Sequence, residues 1–367
     1  MAVLVSYLED LVSIDQRGSY ELTRDLDFND NSCYRSLPNK TLWTTGLGWP
    51  GAAMALNFFG KLDGKGYKIK NLYISGDSGP DPKEFRGLFK TIGTDGLDSA
   101  EISNLVIENP NINLTDNKMG FLCGHASGNS VINNVHIKNG TSSGNYLGGI
   151  SYSTAENAAI KNSSFEGNMT SKNAEESTIG GIVACITGNN FIVKCAAKGS
   201  ITGNPADGAI GGITGWISSA LDVVIEDCYS EMSVPNTLTT GGLCGGASSG
   251  SKGTFYLTRC WTNKTSGVYP IIEDPQQKFI FIDNFYDSTT TGVNSATGGS
   301  ARTTRQMKES GTFTDWKIVS KDNFDFNSPS TWYIDEDNDY PRLWWEMKKE
   351  SLYSKNPVVN ILMSINI

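Results

Sequence analysis

Histidine is nearly absent from this 367-residue chain, which contains only His125 and His136. The two do not occupy equivalent positions of the repeat that organises the chain. A histidine-based triad needs an imidazole beside its nucleophile, and zinc sites use imidazole or thiolate ligands. The sequence therefore disfavours a histidine triad and a two-histidine metal site. The seven cysteines include no Cys-x-x-Cys pair, which disfavours a metal motif of that kind.

Long apolar runs are also missing, since no stretch reaches the roughly 20 apolar residues of a membrane-spanning helix. We expect no membrane insertion. The apolar segment at residues 2–5 is too short for a secretory signal peptide, so we expect no leader. Positive charge is scarce: 30 Lys and Arg against 39 Asp and Glu give a net charge of −9. This balance argues against nucleic acid or an anionic membrane as a partner.

Glycine, by contrast, is abundant, with 40 residues. Many of them precede apolar residues in a repeated motif whose first glycines are 28 to 33 residues apart: Gly87, Gly120, Gly148, Gly180, Gly211 and Gly241. A period near 30 with strand-like segments is typical of a stacked solenoid. We expect each glycine to provide either a positive φ or a close approach of neighbouring backbones.

In a second half-motif, an apolar residue is followed two positions later by a polar residue. Its polar position holds Asn71, Asn104, Asn134, Asn162, Lys194, Asp227, Arg259 and Asn284. Stacked asparagines can hydrogen-bond along a file, so we expect an asparagine ladder in the first half of the array. The next position holds Cys195, Cys228 and Cys260. We interpret these as buried free thiols, with disulfides or a metal as alternatives.

The glycine motif resembles the Gly-Leu-apolar-Gly (GLUG) repeat of bacterial surface proteins and their relatives. The resemblance is closest at residues 212–215 and 242–245, and residues 18–27, 59–67 and 340–345 are similar to the flanks of that repeat. The family implies a single-stranded right-handed parallel β-helix and adhesin-like surface roles. It carries no shared catalytic residues.

These patterns predict an all-β solenoid with a short N-terminal helical cap and an aromatic C-terminal cap. We divide the chain into a cap and irregular first coil (residues 1–57), the repeat array (58–287), a capping region (288–346) and an apolar tail (347–367). Five tail residues are predicted to dock on a neighbouring subunit or particle: Val358, Val359, Ile361, Leu362 and Ile365. The alternative is that the tail folds back along the solenoid.

Carboxylates offer two further candidates. Asp222, Glu226 and Asp227 are close in sequence, as are residues 175–176, but we interpret both sets as solvated turn charges rather than as a catalytic pair. Asp335, Asp337, Asp339 and Glu346 are spaced like positions 1, 3, 5 and 12 of a calcium loop. Tyr340 stands where that loop needs glycine. Calcium is the one cofactor we consider, and equal melting temperatures with calcium and with chelator would dismiss it.

Three tryptophans, Trp43, Trp216 and Trp261, are candidate stacking platforms for a cell-surface glycan, with core packing as the alternative. We therefore expect a non-enzymatic structural or recognition protein on a virion surface, such as a phage appendage or decoration protein. Its partners would be other virion or surface proteins, and it could form an oligomer. The first alternative is a bacterial adhesin or secreted binding protein at the cell surface. The second is a polysaccharide-cleaving β-helix enzyme.

Overall fold

The computed structural model describes residues 1–49, 57–76, 84–94, 98–116, 118–172, 176–203, 207–218, 221–235, 239–263, 269–273, 278–325 and 330–347. The regular structure of these residues is mostly β, and three of the sheets are built from parallel strands. The chain divides into two compact units, Met1–Arg302 and Thr303–Ile367. The expected predominance of β structure and of parallel strands is confirmed, and this arrangement is consistent with a solenoid.

Sheet I is the largest sheet and runs the length of the first unit. Its 20 strands in the described residues are Val3–Val5, Ser19–Leu22, Leu26–Asp27, Lys61–Asp63, Lys68–Lys70, Tyr73–Ser75, Glu101–Glu108, Asn111–Asn113, Val131–Gly144, Ala158–Lys161, Ser164–Ser171, Asn190–Val193, Ala196–Thr202, Val223–Glu226, Tyr229–Ser233, Phe255–Thr258, Trp261–Thr262, Phe279–Ile282, Phe285–Asp287 and Ser300–Arg302.

Two narrower sheets complete each coil. Sheet II contains, among the described residues, Asn57–Phe58, Phe89–Ile92, Cys123–Ala126, Ser151–Thr154, Val183–Ile186, Thr214–Ile217 and Cys244–Ala247. Sheet III contains, within the same described part, Phe85–Arg86, Lys118–Gly120, Tyr146–Gly148, Glu176–Gly180, Asp207–Gly211 and Thr240–Gly241.

One coil illustrates the path of the chain. It passes from Lys118–Gly120 in sheet III to Cys123–Ala126 in sheet II, then through Val131–Gly144 in sheet I, and returns to sheet III at Tyr146–Gly148. Each of these strands pairs in parallel with its equivalent in the next coil. Equivalent apolar residues therefore stack inside the coil, and each contributes about 1.5–3 kcal/mol when fully buried.

The polar half-motif marks a sharp corner within sheet I. The corner residue has a positive φ of 49° to 58° in seven successive coils: Asn104, Asn134, Asn162, Lys194, Asp227, Arg259 and Asp283. This left-handed region costs a typical L-residue roughly 1–2 kcal/mol, and asparagine and aspartate enter it most easily among non-glycine residues. The polar residues are thus selected by backbone conformation as well as by side-chain bonding.

Two residues were assigned to the wrong position from the sequence. Asn71 (φ 59°) belongs to a second corner shared with Asn109 and Asn139, because Ile69 pairs with Ile107 rather than with Ile102. The loop at residues 64–67 lengthens that coil and shifts the pattern. At the other end Asp283 occupies the corner, and Asn284 is the buried residue after it.

The asparagine ladder is present but short. Asn134 donates to Asn104 across 2.8 Å, and Asn139 donates to Asn109 across 3.1 Å. Asn162 instead donates to Asn133, the residue before the corner, across 2.9 Å. The ladder of corner residues therefore ends at Asn134, one coil before the last corner asparagine, Asn162.

The position after the corner points into the core. Ser163, Cys195, Cys228, Cys260 and Asn284 occupy it in successive coils, and all five are at most 3% exposed. Ser163, Cys228 and Asn284 accept hydrogen bonds from the preceding coil: the Val135 amide donates to the Ser163 oxygen (3.0 Å), the Cys195 amide to the Cys228 sulfur (3.4 Å) and the Cys260 amide to the Asn284 oxygen (2.9 Å). All seven thiols are free, which confirms the buried-thiol interpretation, and the disulfide alternative is wrong.

The glycine corner between sheets III and II works differently. Gly148 and Gly211 do not have positive φ; a Cβ at Gly148 would lie 1.8 Å from the Ser151 carbonyl oxygen, and one at Gly211 1.9 Å from that of Thr214. These distances are far inside van der Waals contact. Close approach of the backbones, not conformational freedom, therefore requires the glycines.

The N-terminal region contains the expected helix at Leu8–Val12, whose Leu8 and Leu11 join the core. Strand Val3–Val5 precedes it and pairs with Ser19–Leu22. A second helix, Leu37–Thr44, and a 3-10 turn, Asn31–Cys33, lie where we expected only an irregular loop.

Parallel pairing continues past residue 287, since Ser300–Arg302 pairs with Phe285–Asp287 after the short helix Ser288–Thr291. The second unit has 3-10 turns at Gln306–Lys308, Ser310–Thr312 and Lys321–Asn323. Its small sheet joins Ile318–Ser320, Trp332–Ile334 and Arg342–Leu343 around buried aromatic side chains, Phe313, Trp316 and Trp332 among them. Its role as a cap stays a prediction.

Candidate functional site

Two of the three candidate tryptophans lie in the core. Trp43 is 6% exposed and meets Trp49 edge-on, with ring centroids 5.1 Å apart. Trp261 is fully buried and stacks flat on Tyr229, with centroids 4.7 Å apart and planes 3° apart. Neither ring offers an open face to a sugar, so the core-packing alternative applies to both.

Trp216 is the remaining candidate, and it is partly exposed on sheet II. Its strand partners are Cys185 in the preceding coil and Gly246 in the following one. The ring lies over Gly246, where a Cβ would come within 2.7 Å of its Cζ3 atom. The glycine thus leaves space for the indole on the side of the solenoid.

The carboxylates near residue 226 are engaged in a corner ion cluster. Arg259 donates from Nε to Asp227 across 2.7 Å and pairs with Glu226. Asp222 accepts the amide of Thr254 at 2.8 Å. These partners hold the carboxylates as structural groups rather than as a facing catalytic pair. Glu176 hydrogen-bonds Tyr146, and Glu175 lies outside the described residues.

The proposed calcium ligands are also bonded elsewhere. Asp335 pairs with Lys321 (3.1 Å), Asp339 accepts two 2.8 Å bonds from Arg342, and Glu346 accepts the Leu343 amide at 3.0 Å. Asp337 has a positive φ of 62° at a turn. Among the described residues no three His, Cys, Asp or Glu side chains are placed to hold a metal ion. Calcium binding stays a prediction.

The two histidines lie on different sheets. His125 on sheet II shares a 2.7 Å hydrogen bond with Ser153, whereas His136 on sheet I bonds Ser164 (2.8 Å) and Asn134 (2.9 Å).

The five tail residues that were predicted to dock lie outside the described residues: Val358, Val359, Ile361, Leu362 and Ile365. In the part of the chain that is described, no helix has the length and apolarity needed to cross a bilayer.

A group of mostly half-buried aromatic, basic and hydrogen-bonding side chains lies where sheets II and III meet. We call it the aromatic cluster and define it as Phe85, Lys118, His125, Tyr146 and Tyr152. Phe85, Lys118 and Tyr146 occupy one register position of sheet III in successive coils. His125 and Tyr152 come from the neighbouring strands of sheet II. All but Tyr152, which is 9% exposed, are partly exposed.

The members of the cluster contact one another across the two sheets. Phe85 stacks on His125 with centroids 5.1 Å apart, and Tyr146 meets Tyr152 edge-on at 6.1 Å. The Lys118 amine lies 5.6 Å from the Phe85 ring centroid and 5.7 Å from that of Tyr152, within cation–π range. The cluster is therefore a built surface that combines aromatic rings with a cation.

Electrostatics at the cluster follow from burial. Burial raises the pKa of the Cys185 thiol to about 11, although the Lys118 charge opposes this rise. Burial, followed by the nearby Cys185 and Tyr146, raises the pKa of the Tyr152 phenol. Burial and then Glu176 raise the pKa of Tyr146. At neutral pH these groups are protonated, so they offer hydrogen-bond donors and no nucleophile.

Sequence reasoning missed this cluster, apart from noting His125. Its signal was the register of the glycine motif: the residue two positions before each corner glycine forms one row along sheet III, with Phe85, Lys118, Tyr146, Thr178 and Ala209 in successive coils. Alignment on the glycines alone would have shown that this row begins with two aromatic residues around a lysine.

In sequence, the chain is similar to parts of two much longer proteins. It is 31% identical over 193 residues to the immunoglobulin A1 protease of Streptococcus sanguinis, covering 51% of this chain and 9% of that protein. It is 30% identical over 169 residues to halomucin of Haloquadratum walsbyi, covering 44% of this chain and 2% of that protein. The chain thus spans less than a tenth of either relative. No family model matches it.

A crystal structure shares the fold over nearly the whole chain. It is a Bacteroides ovatus protein provisionally described as an immunoglobulin A1 protease, solved at 1.30 Å, with a TM-score of 0.56 at 17% identity. The alignment covers 94% of this chain and 92% of that one. These comparisons favour the bacterial alternative over the virion interpretation, which none of them supports.

Proposed function

We propose that this chain is a non-enzymatic recognition module of a bacterial surface or secreted protein, which contacts a cell-surface glycan with the side of its solenoid. The observation that carries the proposal is the aromatic cluster, together with Trp216, on one lateral face. Aromatic rings and hydrogen-bonding side chains set in a rigid sheet are the usual means of orienting a ligand. We propose the surface or extracellular location from the similarity to the immunoglobulin A1 protease and halomucin. Both of these relatives are far longer than this chain.

The enzymatic alternative rests on the protease names of two relatives. Zinc proteases of the His-Glu-x-x-His class place two histidines four residues apart, and this sequence has no such motif. The carboxylates that we considered catalytic bond Arg259 or a backbone amide. We therefore propose that the matched segment serves binding or display rather than cleavage.

We also propose that the solenoid is right-handed, because connections between parallel strands of one sheet are right-handed in nearly all proteins. The second unit, with its buried tryptophans, is proposed to protect the final coil, since an open solenoid end is an unpaired edge.

A glycan array with product analysis tests the function. The chain is expected to be retained on a subset of glycans without releasing reducing ends, and to leave immunoglobulin A1 intact. Release of reducing ends, or fragments of immunoglobulin A1, would establish an enzyme instead. Failure to bind any glycan would remove the recognition role. Antibody labelling of intact bacterial cells, rather than of virions, tests the location.

A further inference from the structure

Lys118 is the cation of the aromatic cluster, and its environment is unusual for this acidic chain. Lys90, the nearby lysine of sheet II, forms an ion pair with Glu84. No carboxylate of the described residues forms an ion pair with Lys118, whose amine instead rests on the rings of Phe85 and Tyr152. Its charge therefore rests on aromatic faces and is paired with no carboxylate in the described part of the chain.

The rest of the surface adds hydrogen-bonding groups beside the rings. His125 and Ser153 are joined by a 2.7 Å hydrogen bond on one side of Lys118, and Tyr146 with its Glu176 partner lies on the other. His125 and Tyr146 are both partly exposed. The surface is therefore not merely apolar, and it offers polar contacts along with ring faces.

Trp216 extends this surface along the solenoid axis. Its strand lies three coils after that of Lys118, which at a strand spacing of about 4.8 Å offsets the two by roughly 14 Å along the solenoid axis. Between them the sheet III row carries Tyr146 of the aromatic cluster and then Thr178 and Ala209, and the sheet II row carries Ser153 and Cys185. An extended chain that runs from Lys118 to Trp216 therefore passes Tyr146 and then meets only short side chains in these rows.

The chemistry of these groups narrows the ligand class. An un-neutralised ammonium attracts an anionic group, and aromatic faces pack against the apolar faces of sugar rings. Nucleic-acid binding uses several lysines or arginines to neutralise successive phosphates, whereas the aromatic cluster has a single lysine. A peptide that adds a strand needs a free sheet edge, whereas the strands here are paired with neighbours in both directions.

We propose that the aromatic cluster and Trp216 bind an acidic oligosaccharide lying along the solenoid axis, with its carboxylate or sulfate on Lys118 and a sugar ring on Trp216. The inference rests on the proposed function, because it names the ligand of the same lateral face. It is narrower, since a neutral glycan would satisfy the proposed function and not this inference.

Isothermal titration calorimetry with the whole chain tests the charge requirement. The probes are a hexameric oligogalacturonate, its neutral methyl ester, a sulfated chondroitin hexasaccharide and a neutral cello-oligosaccharide. We expect at least one acidic probe to bind at least tenfold more tightly than the neutral probes, and added salt to weaken that binding. Whether the oligogalacturonate or the sulfated chondroitin binds more tightly distinguishes a carboxylate from a sulfate ligand.

Variants locate the site. Lys118→Gln and Trp216→Phe should each lower the affinity for the acidic probe, and Lys118→Gln should lower it by about tenfold or more. Lys118→Arg should keep most of the affinity. Two matched controls lie on the outer face of sheet I: Lys161→Gln, an exposed lysine, and Phe191→Ala, whose ring is 40% exposed. Both should leave affinity unchanged, and all variants should melt within a few degrees of the parent.

Two results would overturn the inference. If neutral probes bind equally well and Lys118→Gln has no effect, the ligand is not acidic, while the proposed glycan contact stands. If no acidic probe binds, the inference fails whatever the glycan array shows, and retention of the chain on neutral glycans would still support the proposed function.

Discussion

The two sharp corners of each coil turn the chain by opposite chemical means. The polar corner of sheet I uses asparagine, aspartate, lysine or arginine in a left-handed conformation. The corner between sheets III and II uses glycines, yet Gly148 and Gly211 are not left-handed. Glycine there is required by the space between backbones, and the polar residues elsewhere are required by φ. At Gly148 and Gly211, glycine is therefore not the marker of positive φ that it is at Gly128 or Gly188.

The first prediction tests the glycine corner and has the largest expected effect. Gly148→Ala would place a methyl 1.8 Å from the Ser151 oxygen, and pairing of both strands with neighbouring coils prevents the backbone from moving away. We expect a loss of about 4 kcal/mol or more in the free energy of unfolding, or no cooperative transition, in urea denaturation followed by circular dichroism.

The matched control is Gly311→Ala, where nothing lies within 4 Å of the added Cβ and φ is not positive. It should change stability by less than about 0.5 kcal/mol. Equal stability of the two variants would contradict the close-approach explanation.

The second prediction concerns the charged half of the polar corner. Arg259→Met would leave Asp227, whose side chain is 5% exposed, without its two hydrogen bonds from the guanidinium. Removing one partner of a buried ion pair costs about 3 kcal/mol. Asp227→Asn combined with Arg259→Met should recover part of that loss in the same urea titration.

Arg305→Met is the surface control, because Arg305 is 85% exposed in its pair with Glu309. Exposed ion pairs contribute about 0–1 kcal/mol, so a small change is expected. If Arg259→Met and Arg305→Met lower the free energy of unfolding equally, the corner ion cluster contributes no more stability than an exposed ion pair.

The two corners also show what the sequence can and cannot predict. The period, the parallel stacking and the buried thiols follow from residues that repeat in register, such as Cys195, Cys228 and Cys260. The misplacement of Asn71 arose because its coil has a longer loop, and local pattern does not reveal which corner a polar residue serves. The aromatic cluster was missed because it joins two sheets whose contact depends on the glycine corner.

The three candidate tryptophans could not be distinguished from the sequence for a related reason. Trp43, Trp216 and Trp261 look alike in sequence, but burial depends on strand register and on neighbouring residues. Trp261 follows the inward cysteine position and stacks on Tyr229, whereas Trp216 lies over a glycine on the outside of sheet II. Distinguishing them requires the register of each strand.

The third prediction is that glycine is tolerated better than alanine at the polar corner, where φ is positive. Asn134 has φ 58° and donates to Asn104. Both Asn134→Ala and Asn134→Gly lose the side-chain bonds to Asn104 and His136. Alanine also has the larger conformational cost at positive φ, whereas glycine has none. We expect Asn134→Gly to be about 1 kcal/mol more stable than Asn134→Ala in thermal and urea unfolding. Equal stabilities would show that φ does not select the corner residue.

The fourth prediction tests the position behind the polar corner. Cys228 is fully buried, and its sulfur accepts the Cys195 amide. Cys228→Ala removes that acceptor and leaves a small cavity, so we expect a loss of about 1–2 kcal/mol. Cys228→Ser keeps an acceptor and should lose less.

Hydrogen exchange separates the lost acceptor from the lost volume. The Cys195 amide should exchange faster in Cys228→Ala than in Cys228→Ser, because only the serine can still accept its hydrogen bond. Cys244→Ala is the control, since Cys244 is equally buried but lies in sheet II. That variant should lose similar volume without changing exchange at Cys195. If Cys228→Ala leaves the Cys195 amide protected, the cysteines behind the corner act only as small apolar residues.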